Sequence, residues 1–151
     1  SAEAEPAENL PRYRLLNVVA RWVGVWAVAA RVMPILFGRT ALTDPGRAAE
    51  RAAWLAALKA NRRSIHRAVT GVLERAAVPA EDLARVRTPT LVAVGEEDVA
   101  TPPSRSERLQ AAIPGARLER IPAAGHSSTL ENPTHVNRLL EAFLGEVDGR
   151  G

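Results

Sequence analysis

Two segments of the chain carry residue types that can do acid–base chemistry. Gly95-Glu96-Glu97-Asp98 follows one short apolar run, and Gly125-His126-Ser127 follows a second. In open α/β sheets, active sites form beyond the carboxyl ends of the strands. A carboxylate there can orient an imidazole, which then acts as general base and general acid. We therefore predict that Asp98 and His126 form a catalytic pair, with the two glutamates before Asp98 as alternative acids.

The elements around these segments predict a parallel scaffold. Residues 88–95 form a nearly continuous apolar run bounded by Pro and Gly, which is typical of a strand buried on both faces. A helix from Pro103 to about Ile113, a second strand over residues 116–121 and a last helix after Asn132-Pro133 follow. This order predicts a right-handed crossover unit. Because an isolated parallel pair is not a stable sheet, we expect it to belong to a larger fold.

The residues before this unit predict helices only, from Leu10 to about Ala77. Apolar side chains recur every three or four residues from Leu15 to Ala30, and Pro34 and Gly38 mark the end of this helical stripe. Two further helices are predicted over about residues 46–59 and 62–77.

Three side chains of these helices are candidates for contacting a substrate: Trp26, Trp54 and His66. The competing interpretation places Trp26 and its neighbour Trp22 in the core of the helical segment and gives His66 a structural role.

The composition narrows the class of protein. The chain has 151 residues, of which 46% are hydrophobic and 25% charged, and it has no cysteine. These values are typical of a globular domain and exclude a disulfide scaffold, a thiol nucleophile and a Cys-ligated metal. The uncharged stretch over residues 22–30 is far shorter than the roughly 20 residues of a membrane span, and no secretory signal is visible. We therefore expect a cytoplasmic protein without membrane contact.

Charge is distributed unevenly along the chain. Residues 10–87 carry 14 basic and five acidic side chains, whereas residues 88–151 carry six and nine. There is no run of five or six like charges, and aromatic side chains for base stacking are scarce, so we expect no nucleic-acid binding. The basic segment faces either an anionic substrate or an acidic protein surface. Its densest cluster is Arg62, Arg63 and Arg67, around His66.

Three motifs resemble the C-terminal end of the α/β-hydrolase fold. They are residues 89–98, which end in Gly-Glu-Glu-Asp, residues 121–127, which contain Gly-His-Ser, and Glu131-Asn132-Pro133 before the last helix. The resemblance covers about 60 residues and is nearest to the enol-lactonase, esterase and perhydrolase group. In that family the chain order is nucleophile, acid, histidine. The resemblance therefore implies that Asp98 is the triad acid and His126 the triad base.

The resemblance also implies a division of the chain. Residues 1–86 would form the loop after the sixth strand and a helical cap, and residues 87–151 would form the last β-α-β-α of an α/β core. The nucleophile motif Gly-x-Ser-x-Gly and the oxyanion loop of the family are absent. We therefore expect the nucleophile on a missing N-terminal half, which would be this chain's partner. Together they would hydrolyse a small carboxylic ester or lactone without a cofactor or a metal, and the basic cap favours a substrate that carries a carboxylate.

Two classes of alternative stay open. The same pair serves haloalkane dehalogenation, epoxide opening, carbon–carbon bond hydrolysis and perhydrolysis, and the residue at the nucleophile position decides among these. A degenerate hydrolase-fold subunit would instead bind without catalysis. Ser1 as an N-terminal nucleophile is disfavoured, because enzymes of that kind place the serine on a strand of an antiparallel sandwich.

Overall fold

The computed structural model describes residues 3–6 and 8–149, so Ser1 lies outside the described residues. Its contacts divide the chain into two compact units. The α/β unit comprises Ile35–Thr43 and the chain from Pro79 onward, and the helical unit comprises the chain up to Pro34 and Asp44–Val78. The division at residues 86 and 87 with its cap assignment stays a prediction.

The α-helices and strands follow one another in this order: α1 (Leu10–Trp22), α2 (Ala29–Leu36), α3 (Arg39–Thr43), α4 (Ala48–Lys59), α5 (Ile65–Leu73), α6 (Ala80–Leu83), β1 (Leu91–Gly95), α7 (Pro103–Ala112), β2 (Arg117–Ile121), α8 (Ser128–Glu131) and α9 (Pro133–Asp148). Short 3-10 helices lie at Val25–Ala27 and Pro45–Arg47. No helix among the described residues is long and apolar enough to cross a bilayer.

In the helical unit, the predicted stripe is interrupted at Gly24. Its φ of 126° lies outside the helical region, and a Cβ at this position would come within 2.8 Å of the Trp26 ring. Only glycine adopts this conformation without strain. The chain therefore leaves the helix after Trp22 and resumes it at Ala29. A cluster of small side chains forms the core of this unit instead of the large ones: Ala20, Val25 and Val28, with Leu16, Val19, Val32 and Leu58 packed against it.

The interpretation of Trp22 and Trp26 as core residues is wrong. Trp22 is 67% exposed and Trp26 is 63% exposed. The turn at Gly24 ends the helical register, so the two indoles cannot continue one buried stripe. The guanidinium of Arg21 lies over the Trp22 ring, 5.1 Å from its centroid. This face of α1 presents apolar surface outward.

The α/β unit is the predicted crossover unit. β1 and β2 are parallel, with Leu91 opposite Arg117 and Gly95 opposite Ile121, and α7 connects them. Ile121, Ala124 and Val136 form the core between β2 and α9. As the sequence predicts, Asn132 caps α9: its side-chain oxygen accepts the backbone N–H of His135 at 3.2 Å. The fold therefore delivers the segments after β1 and β2 to one end of the sheet.

Candidate active site

The structure brings Asp98 and His126 into contact. Asp98 lies in the turn after β1 and His126 in the loop after β2, and Asp98 Oδ2 is 2.9 Å from His126 Nδ1. The side chain of Asp98 is 5% exposed, whereas that of His126 is 42% exposed. The parallel pairing explains the meeting, because both strands end at the same edge of the sheet. The carboxylate is thus enclosed and the imidazole opens to the surface.

The turn after β1 surrounds Asp98 with donors. Oδ1 accepts the backbone N–H groups of Ala100 at 2.9 Å and Thr101 at 2.8 Å, and Oδ2 accepts the Thr101 hydroxyl at 2.7 Å. Burial alone would raise the pKa of Asp98, but the hydrogen bonds from His126 and Thr101, and the charge of His126, outweigh burial and lower the pKa below its ordinary value. Asp98 is therefore ionised at neutral pH.

The ionised carboxylate fixes the tautomer of His126. A carboxylate only accepts hydrogen bonds, so Nδ1 of neutral His126 must carry the proton that points at Asp98. The lone pair then resides on Nε2, the nitrogen that a general base uses to take a proton. Thr101 Oγ1 lies 3.2 Å from Nδ1 and completes a contact triangle with the two side chains. Chemically, this arrangement can accept a proton and stabilise the resulting imidazolium.

The alternative acids are placed differently. Glu96 is exposed, and Glu97 is half-buried. Oε2 of Glu97 accepts the backbone N–H of Thr40 at 2.7 Å, and Oε1 accepts the Thr40 hydroxyl. Burial raises the pKa of Glu97, but these hydrogen bonds and the charge of Arg39 outweigh it, so the pKa is lowered. His126 thus pairs with Asp98, whereas Glu97 binds Thr40 in α3.

Glycines at positions 38, 95 and 125 allow the chain just before α3 and the loops after β1 and β2 to approach one another through their backbones. A Cβ on Gly95 would collide with the carbonyl oxygens of Ala124 and Gly125. A Cβ on Gly38 would lie 2.8 Å from the backbone nitrogen of Gly125 and 2.6 Å from Glu97 Oε2. No side chain can be inserted at such distances without moving backbone. The loops after β1 and β2 therefore pack directly against each other and against Gly38.

Sequence reasoning missed Glu131, which is 5% exposed. Its Oε2 accepts the backbone N–H of Gly38 at 2.7 Å, and its Oε1 accepts that of Gly125 at 2.9 Å. These two hydrogen bonds could not be predicted from the sequence, because both donors are backbone N–H groups and one of them lies 93 residues away. Its signals in the sequence are its place in the Glu131-Asn132-Pro133 motif and its position five residues after His126. Sequence reasoning assigned no role to Thr101 either.

The predicted substrate-contacting residues all lie in the helical unit. Trp26 is exposed, whereas Trp54 and His66 are half-buried. The Arg47 guanidinium lies 5.1 Å from the centroid of the Trp54 ring, and the carbonyl of His66 accepts the Thr70 hydroxyl at 2.9 Å. Their role in substrate contact stays a prediction. Among the residues that the structure describes, no cluster of three or more His, Asp or Glu side chains is arranged to hold a metal ion.

Comparisons with known proteins agree with the fold described above. The thermophilic esterase from Thermogutta terrifontis is similar in structure with a TM-score of 0.82 and 24% identity, over 97% of this chain and 53% of the esterase. The enol-lactonase from Burkholderia xenovorans LB400 gives a TM-score of 0.73 and 25% identity, over 88% of this chain and 50% of the enol-lactonase. The chain spans about half the length of these solved proteins.

Sequence relatives point the same way. RutD of Pseudomonas savastanoi pv. phaseolicola, named as a candidate carbamate hydrolase, is 39% identical over 62 residues, which cover 41% of this chain and 24% of RutD. The alpha/beta hydrolase family itself matches over residues 3–138, nearly the whole chain. The fold expected from the motifs after β1 and β2 is thus confirmed. This chain belongs to the alpha/beta hydrolase family.

Proposed function

We propose that this chain is the C-terminal part of a serine-dependent hydrolase of carboxylic esters or lactones. The observation that carries the proposal is the pair of Asp98 and His126, joined at 2.9 Å beyond the ends of two parallel strands. Its similarity to an enol-lactonase and to hydrolases of related chemistry supports the reaction class. The nucleophile would come from an N-terminal half, since the sequence has no Gly-x-Ser-x-Gly motif.

In the proposed mechanism, His126 Nε2 takes the proton of the attacking serine and returns it to the leaving group. Asp98 holds Nδ1–H and stabilises the imidazolium that forms. The serine forms an acyl-enzyme, which water then hydrolyses with His126 again as base. Asp98 is suited to this role because it is buried, ionised and held by the Thr101 backbone and hydroxyl. The exposure of His126 agrees with a reaction partner on another polypeptide segment.

The helical unit would act as the cap that encloses the substrate. Trp26, Trp54 and His66 are the side chains we propose to line the substrate pocket, and a cap that closes over the site would exclude water. The arginines around His66 would favour a substrate that carries a carboxylate, to which guanidinium groups bind well.

The central test is the turnover of simple esters and lactones by the protein expressed from its full reading frame. H126A should lower kcat by several orders of magnitude, and D98N by about 10⁴-fold, because Asn donates to Nδ1 and imposes the wrong tautomer. H135A is the matched control, because His135 lies in α9 and its backbone N–H bonds to Asn132. Near-full activity of H126A would contradict the assignment.

The proposed nucleophile-bearing half is tested by its mass. Size exclusion and intact mass spectrometry of the native protein should reveal a Gly-x-Ser-x-Gly segment bound to this chain or continuous with it. Labelling with a serine-directed phosphonate should modify that segment and leave this chain unmodified. A cooperatively melting monomer of 16.2 kDa with full esterase activity would contradict the proposal.

Cleavage of a carbamate is the second candidate, favoured by the 39% identity to RutD. The same acid and histidine serve both reactions, because each proceeds through attack on a carbonyl and an acyl-enzyme. Comparing kcat/KM for a carboxylic ester and a carbamate with the same leaving alcohol, and for a lactone, separates the two candidates.

A further inference from the structure

We propose that Glu131 is a positioning residue that fixes the backbone of His126. This inference rests on the proposed function, since it concerns the same histidine. Glu131 does not contact the imidazole in the manner of Asp98, but it binds the residue immediately before it. Its carboxylate is buried, and it accepts N–H groups from two chain segments that are far apart in sequence.

His126 is bracketed by hydrogen bonds from its two neighbours. The N–H of Gly125 donates to Glu131 Oε1 at 2.9 Å, and the N–H of Ser127 donates to the carbonyl of Leu36 at 2.8 Å. The imidazole itself is 42% exposed, so packing does not hold it on all sides. The position of Nε2 therefore depends on the hydrogen bond between Nδ1 and Asp98 and on the backbone hydrogen bonds of Gly125 and Ser127.

The second carboxylate oxygen of Glu131 connects the Gly125 backbone to a second chain segment. Oε2 accepts the N–H of Gly38, and a Cβ on Gly125 would collide with the backbone nitrogen of Gly38. One carboxylate thus clamps two backbones that already touch. Two N–H donors on two different oxygens match an ionised carboxylate, which accepts and never donates.

The loop after β2 contains a strained residue, and the hydrogen bond between Gly125 and Glu131 lies next to it. Ala123 has a φ of 54°, in the left-handed region that alanine avoids. A strained residue persists where the surrounding structure holds it in place. Glu131 is buried and binds the backbone N–H of Gly125, two residues after Ala123. We infer that releasing it lets the His126 backbone shift while Asp98 stays in place.

The test compares E131Q and E131D with E141Q in the protein expressed from its full reading frame. Gln keeps one acceptor but turns an NH₂ group toward the other N–H, whereas Asp keeps the charge and is one methylene shorter. Glu141 is exposed on α9 and serves as the matched control. Two readouts are collected at a temperature where circular dichroism shows each variant folded: ester kinetics, and the ¹H–¹⁵N spectrum of the His126 ring with Nδ1 bonded to Asp98.

We expect E131Q to lower kcat by about 10- to 100-fold with KM little changed, because misplacing a catalytic group by about 1 Å can cost that much. Its Nδ1–H resonance should shift and broaden. E131D should show a smaller effect of the same kind, and it replaces E131Q if the latter does not fold. E141Q should match the wild type in both readouts.

A lowered melting temperature with wild-type kcat per folded molecule and an unchanged Nδ1–H resonance would overturn the inference, because Glu131 would then be structural only. The resonance does not require turnover. It therefore decides the role of Glu131 even if the wild-type protein hydrolyses no ester, a result that would count against the proposed function alone.

Discussion

Replacing Thr101 by valine removes one hydrogen bond from Asp98 and keeps the branched shape of the side chain. The Thr101 hydroxyl donates to Oδ2 at 2.7 Å, and Asp98 is only 6% exposed. A hydrogen bond to a charged group contributes about 1.5–3 kcal/mol. Water cannot easily replace it at a buried oxygen. We therefore expect T101V to lower the free energy of unfolding by about 1.5–3 kcal/mol at neutral pH.

The loss should depend on pH in a defined direction. The pKa of Asp98 is lowered in the folded protein, so its ionisation stabilises the fold above the unfolded pKa of about 3.9 and ceases to do so as the pH falls through the folded value. T101V raises the folded pKa toward the ordinary one. The difference between T101V and the wild type should therefore be largest at neutral pH and shrink in acid below both pKa values.

Urea unfolding followed by circular dichroism measures this difference at about pH 7 and at a second pH below the folded pKa of Asp98, which an NMR titration of the wild type locates. T101S is the control, because it keeps the hydroxyl and loses only a methyl group, and it should retain most of the neutral-pH stability. Equal losses for T101V and T101S, or a T101V loss that is the same at both pH values, would refute the reasoning.

The remaining predictions concern the loops and the substrate. A123G should raise the free energy of unfolding by about 0.5–1 kcal/mol, because left-handed strain of about 1–2 kcal/mol exceeds the entropy cost of glycine; a lower melting temperature would contradict this. G95A should lower the free energy of unfolding by about 3 kcal/mol or more, because the added Cβ meets two carbonyl oxygens. G71A has open space in α5 and should raise the free energy of unfolding by about 0.5–1 kcal/mol. Similar melting temperatures for the two variants would argue against the backbone contact at Gly95. The three arginines around His66 are exposed, so a free carboxylate on the substrate should raise kcat/KM by only about 1.5- to 5-fold over the methyl-capped analogue. If single substitutions of these arginines by Met leave that preference unchanged, they have no role in recognising the carboxylate.

Local chemistry explains what was predicted in the α/β unit. The apolar run before Gly95 forms β1, and the crossover helix brings the second strand alongside it in parallel. The expected burial on both faces is not met, since Val92 and Val94 are buried but Ala93 is exposed. Asn132 caps α9 through its own side chain, a contact within three residues. The placement of Asp98 near His126 follows from these local facts, because parallel strands end at one edge. This part of the fold and the contact between the two side chains were therefore within reach of the sequence.

The helical unit was less predictable because the periodicity of its apolar side chains does not show where a helix breaks. A spacing of three and four indicates a helix but does not say which face is buried. Gly24 interrupts the stripe, and the small side chains of Ala20, Val25 and Val28 form the core while Trp22 and Trp26 face outward. A glycine within a helical stripe signals a break only when tertiary contacts favour a positive φ.

The sequence by itself determined the elements of the α/β unit, the order of Asp98 and His126, and the family motifs around them, because these depend on neighbouring residues. Only the tertiary structure decided how the two loops are held together. Gly38, Gly95 and Gly125 meet through their backbones, and Glu131 bonds a segment 93 residues away. Backbone N–H groups are the same in every residue except proline, so no side-chain pattern can specify which carboxylate they will bind.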